Sequence, residues 1–133
     1  MAKLMRCLIL LVFGLCLMAA KKTTIIDGVL SRAEIQGVLE KGPQAMVASV
    51  QVDPVMMNGR FVGFKLVSAN AHSVLARSRT VMLGDVLVAI NGHGLERPDQ
   101  FMAAWESIAQ TPQLSIRVLR GAEYIEFRWS ITP

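Results

Sequence analysis

Five consecutive apolar residues, Val86 to Ile90, stand between Gly84-Asp85 and Asn91-Gly92. A run this short, rich in β-branched residues and closed by turn formers at both ends, reads as a strand buried on both faces. Gly84 and Gly92 can take positive φ without a Cβ clash, while Asp85 and Asn91 can hydrogen-bond nearby backbone amides and hold the two turns. A strand of this kind belongs inside a sheet, so the rest of the chain has to supply its neighbours.

The C-terminus supplies two. Leu114, Ile116 and Val118 alternate with Ser115 and Arg117, Arg120-Gly121-Ala122-Glu123 turns, and Ile125, Phe127, Trp129 and Ile131 alternate with Tyr124, Glu126, Arg128 and Ser130. Period-two alternation about a tight turn predicts an antiparallel hairpin with one apolar face. Between Gly92 and this hairpin, Pro98 suits the first position of a helix, where its missing N–H is no loss. Phe101, Trp105 and Ile108 give that helix an apolar face, and Thr111-Pro112 ends it.

Upstream, Ser31 and Glu34 have the spacing of a capping box, with Leu30 and Ile35 placed as its hydrophobic staple. Ile35, Val38 and Leu39 make one apolar stripe and Gly42-Pro43 stops the helix, which is short and amphipathic. Met46 to Asp53 predicts a strand closed by Asp53-Pro54, Asn58-Gly59 a hairpin turn, and Phe61 to Ser68 the returning strand. Gly63 interrupts that strand, the usual mark of a bulge or of a second backbone coming close. Ser73 to Ser78 reads as one more short helix.

At 133 residues the chain has room for one domain. Met1–Ala20 carries Lys3 and Arg6, then an apolar run from Leu8 to Ala20, then Lys21-Lys22. The run falls short of the roughly 20 residues that span a bilayer, and its charged, apolar, small order is that of a secretory signal cut after Ala20. Export is the expectation, with contact to a membrane only through this segment if it is retained. Bulky Leu15 ahead of Cys16 argues against lipidation.

Both cysteines, Cys7 and Cys16, lie in this leader, so a cleaved product could form no disulfide or cysteine metal site. Loss of Lys3 and Arg6 would leave 12 basic residues of 14 against 10 acidic ones. That excess is too small to argue for nucleic acid, and no basic cluster with interleaved aromatics is present. Enzyme patterns are missing as well: there is no G-x-S-x-G, H-E-x-x-H or metal-ligand cluster. His72 and His93 read as exposed loop residues, and Asp85 and Asp99 as turn and helix-start residues. The expectation is a non-enzyme without cofactor or metal.

The order helix, hairpin, short helix, Gly-Asp strand Asn-Gly, helix, hairpin resembles a bacterial PDZ domain from Val47 to Ile131, with Gly84 through Gly92 as the most recognisable segment. Ile26 through Phe64, with Ser31-Arg32-Ala33-Glu34-Ile35, Pro54, Asn58-Gly59-Arg60 and Gly63-Phe64, is similar to the stretch preceding the PDZ core in the type II secretion C component, general secretion pathway protein C. Ala71-His72-Ser73 and Thr80-Val81 depart from the family's Pro-Gly-Ser and Gly-Leu, and Thr80 is expected to strain a turn that favours left-handed backbone. The family's periplasmic homology region has no room ahead of this domain, so a secretin contact through it is not carried over.

The resemblance implies an α+β fold: a partly open antiparallel β-barrel or sandwich with two helices, plus the N-terminal amphipathic helix. It divides the chain into a leader or anchor (1–20), a linker with the amphipathic helix (21–45) and the PDZ-like domain (46–133). It also implies a periplasmic adaptor that binds a protein or peptide, either a secretion-system component or an exported substrate, by adding a strand to a sheet edge. Mapped onto this chain, Val62, Gly63 and Phe64 form the receiving loop and Lys65, Leu66 and Val67 continue the edge. Phe101, Met102 and Trp105 make the opposite wall. Three competing expectations stand beside this one: the two aromatics are core residues, the domain regulates a separately encoded periplasmic protease, or the groove is filled by the chain's own Ile35–Leu39 helix.

Overall fold

The computed structural model describes residues 22–71 and 80–133. The leader, His72 and the short helix expected from Ser73 to Ser78 lie outside the described residues. The elements are β1 (Thr23–Ser31), α1 (Arg32–Lys41), α2 (Pro43–Ala48), β2 (Val50–Met57), β3 (Arg60–Ala69), β4 (Val86–Ile90), α3 (Pro98–Gln110), β5 (Gln113–Arg120) and β6 (Glu123–Thr132). The strands form one six-stranded sheet in the order β1-β6-β5-β4-β3-β2. All neighbours are antiparallel except β1 and β6, which run parallel. The fold is α+β, as the sequence predicts.

Local signals act where they stand. Ser31 Oγ accepts from the Glu34 amide at 3.2 Å, and the Ser31 amide donates to the Glu34 carboxylate at 2.9 Å. The box starts α1, Gly42 at φ 86° ends it, and Ile35 is carried into the core. Ser31→Ala removes one half of the box and is expected to cost about 1 kcal/mol in urea unfolding. Asn58 and Gly59 both take positive φ in the turn between β2 and β3, the pattern of a two-residue hairpin loop.

Two apolar clusters meet on the sheet. Leu66, Val81, Val118, Ile125 and Phe127 form one. Ile35, Ile108, Leu114 and Ile131 form the other, with Leu30, Leu39 and Trp105 packed against it, so α1 and α3 cover the sheet together. Trp129 and Ile116 touch both clusters and join them.

The structure corrects the expectations for 23–31 and for the strand from Met46 to Asp53. Residues 23–31, read as linker, are β1, paired along their whole length with β6. Their pattern carries Asp27-Gly28 in the middle, and what makes them a strand is a partner a hundred positions away. The strand expected from Met46 starts at Val50, because Pro43–Ala48 winds into α2 with Pro43 in its first turn. It also runs through Pro54 rather than stopping there, since an edge strand can turn a proline's missing N–H away from the ladder. The turn expected at Thr80 adjoins residues outside the described ones; Asn58 and Asn91 are the non-glycine residues with positive φ among the described residues.

Candidate functional site

The margin expected beside Gly63 is occupied. Strand β3 lies between β2 and β4, with Gly63 opposite Val55 on one side and Phe64 and Lys65 opposite Leu87 and Val86 on the other. A Cβ on Gly63 would fall on the carbonyl oxygen of Leu87, 2.9 Å from its carbonyl carbon. The sequence signal was sound in kind, since a backbone does approach this glycine closely, but that backbone is the chain's own β4. Leu66 is a core residue, and Val62 is the extra residue of a bulge where the register jumps from Val55↔Gly63 to Met56↔Phe61. Val62, Gly63, Phe64, Lys65, Leu66 and Val67 therefore build the sheet's interior strand and line no open edge.

Among the described residues the free margin on this side is β2, one strand further out. The helix that leads into it, α2, lines an open apolar cavity of about 650 Å³. Its walls are the end of α1 (Lys41, Gly42), α2 (Pro43, Gln44, Val47, Ala48) and the start of α3 (Pro98, Phe101, Met102), with Lys41 the one charged side chain among them. Of the three wall residues expected on α3, Phe101 and Met102 line this cavity. Trp105 packs into the second core cluster, one helical turn from Phe101 at a ring separation of 6.5 Å. Residues of α2 are those the sequence missed: Met46 to Ala48 were read with the β-branched residues after them as the start of a strand, and Gly42-Pro43 only as the end of a helix, whereas Pro43 opens α2.

The start of α3 is fixed by short-range contacts. The Gln100 side chain accepts from the Arg97 amide at 3.0 Å, and Arg97 Nε donates to Asp99 at 3.1 Å. That hydrogen bond holds the Asp99 carboxyl below its ordinary pKa. Both side chains are exposed, so the pair orients the helix start more than it stabilises the fold.

The turns around β4 hold as read, through partners more distant than expected. Gly84, Asn91 and Gly92 all have positive φ. Asp85 accepts from the Met82 amide at 2.9 Å and is also gripped by Arg120, Nε to Oδ1 at 2.8 Å and Nη2 to Oδ2 at 2.7 Å. Asn91 accepts from the Ser115 amide and donates to Ser107, tying the turn to β5 and α3. Ile90 and His93 close the loop by exchanging backbone hydrogen bonds, and His93 is exposed.

No protein-family model and no curated protein matches the sequence. Among solved structures, the PDZ domain of EpsC from Vibrio cholerae (residues 204–305) superposes with a TM-score of 0.52 at 22% identity, covering 74% of this chain and 92% of that domain. The fold is that of a PDZ domain. Also similar are the PDZ domain of the pullulanase C protein of the type II secretion system from Klebsiella pneumoniae (TM-score 0.48, 20% identity, 72% of this chain and 98% of that one) and a shorter EpsC piece (0.44, 23%, 61% and 92%). In this PDZ fold α2 shares the cavity with the start of α3 and leads directly into the outer strand β2.

Proposed function

We propose that this chain is a non-catalytic, periplasmic interaction module of a type II secretion system, taking up an extended segment of a machinery component or an exported substrate. One observation carries the reading: a strand edge without a neighbour among the described residues, next to an apolar cavity. A peptide added along β2 gains main-chain hydrogen bonds, and a side chain lowered into the cavity adds selectivity. The edge favours a short addition, because β2 carries Pro54 and register breaks at Gln51/Val52 and Val55/Met56. An apolar anchor beside an acidic group fits walls in which Lys41 is the charged residue. The Ile35–Leu39 stretch of α1 packs with Trp105 and Ile108 and contributes no residue to the cavity, which only the end of α1 borders; that favours recruitment over a self-filled groove.

Peptides selected from a random library on the immobilised protein test this. Val47 and Met102 are 54% and 41% exposed, so Val47→Glu and Met102→Glu should leave the melting temperature within a few degrees. Each should weaken binding at least tenfold, about 1.4 kcal/mol, and bound peptide should shift amide resonances of Val50 to Asp53. Peptides that bind both variants as tightly as the wild type would overturn the site. Deleting the gene in its host should leave exported enzymes inside the cell; unchanged secretion would remove the assignment to this pathway.

A further inference from the structure

Among the described residues the sheet has a second edge without a neighbour, β1, and it is built differently from β2. Its nine residues pair with β6 without a register break and contain neither proline nor lysine. Sheet edges are normally guarded by charges, prolines or bulges; β2 has two such bulges and Pro54, whereas β1 has Asp27 alone. Around Asp27, Ile25, Ile26 and Val29 are 47%, 45% and 66% exposed, a composition closer to that of a strand with neighbours on both sides.

The phase of the edge can be derived. The Lys22 carbonyl accepts from the Tyr124 amide at 3.3 Å, and the Leu30 carbonyl accepts from Thr132 Oγ1. In a parallel pair, a residue points its N–H and C=O to the same side and successive residues alternate. Lys22, Thr24, Ile26, Gly28 and Leu30 thus address β6, leaving the amides and carbonyls of Thr23, Ile25, Asp27 and Val29 directed outward.

We infer that β1 pairs with the β1 of a second copy, antiparallel about a twofold axis at Ile25, joining two sheets into one. An axis perpendicular to the sheet keeps side chains on their own face, so Ile25 meets Ile25, and Asp27 of each copy meets Thr23 of the other. Each of these pairs exchanges two main-chain hydrogen bonds. Asp27 has no ion pair among the described residues, and in this register its carboxylate faces a hydroxyl. Moving the axis to Asp27 sets two carboxylates opposite each other, and moving it to Ile26 sets Ile25 against Asp27; both are worse. The β2 edge and its cavity stay free, so the dimer is independent of the peptide site.

Analytical ultracentrifugation of the full 133-residue chain in a mild non-ionic detergent tests this. A monomer–dimer equilibrium is expected at micromolar concentrations. Ile25→Lys sets two ammonium groups opposite each other and should weaken the dimer at least tenfold, whereas Thr23→Lys meets Asp27 of the other copy and should tighten it severalfold. Hydrogen exchange gives a readout that needs no variant: the amides of Thr23, Ile25 and Asp27 should be protected at high concentration and exchange quickly on dilution. A wild type that stays monomeric, aggregates of open-ended size, or a dimer indifferent to both substitutions with dilution-independent exchange would overturn the inference.

Discussion

Gly63→Ala is expected to lose on the order of 4 kcal/mol of folding free energy, enough to leave much of the chain unfolded at 37 °C. The added methyl would land on the Leu87 carbonyl oxygen, with Val86 Cγ1 3.0 Å away. Neither neighbour can yield cheaply, because Phe64↔Leu87 and Lys65↔Val86 are the paired positions between β3 and β4. Shifting β4 off Gly63 therefore strains the junction that holds β2 and β3 to the rest of the sheet, in a core that tolerates little overpacking. At about 4 °C per kcal/mol for a domain of this size, the melting temperature should drop by roughly 15 °C. A drop of less than about 4 °C would mean that β3 and β4 are not this close.

Asp85→Ala should cost about 2–3 kcal/mol. The carboxylate side chain is 3% exposed and anchors both the Met82 amide and the Arg120 guanidinium, which also donates to the Thr80 carbonyl at 3.0 Å. Removing one member of a buried ion pair typically costs 3–5 kcal/mol because the other charge is stranded. Arg120, at 34% side-chain exposure, can recover part of that by turning to water, which lowers the figure. Its pKa is raised chiefly by its hydrogen bonds to Asp85, and a guanidinium stays charged at any ordinary pH even without that partner, so the variant leaves a cation behind. Asp85→Asn keeps an acceptor for Met82 and should recover part of the loss in the same denaturant titration. Equal losses for Ala and Asn would assign the whole effect to Arg120, and no loss for either would discard the clamp.

What could be read in the sequence was what the chain settles within a few residues. Ser31 with Glu34, Asn58-Gly59, Gly84-Asp85, Asn91-Gly92, Pro98 and the alternation from Leu114 to Ile131 each encode a start, a turn or a face, and each acts in the fold as read. The errors share one cause, which is that strand order is decided by long-range pairing. Nothing near Gly63 says whether the backbone approaching it belongs to a ligand or to β4. Thr23 to Ser31 has no pattern of its own that reveals β6 as a partner, and Asp85 finds Arg120 thirty-five positions on. The candidate site was half legible for the same reason: Phe101 follows from helix periodicity and Met102 from the family resemblance, whereas α2 and the β2 margin require knowing which strand is outermost.

The parallel pairing of β1 with β6 also orders events in time. Strand β1 is made about a hundred residues before its partner β6, and the side chains of Thr24 and Glu123 that join them are 99 positions apart. Contacts so distant slow folding, since the intervening loop must close before they form. Until β6 is made, Ile25, Ile26 and Val29 sit on a stretch that lacks its β6 partner, and a chain cut short before β6 leaves both margins of that stretch unpaired among the described strands.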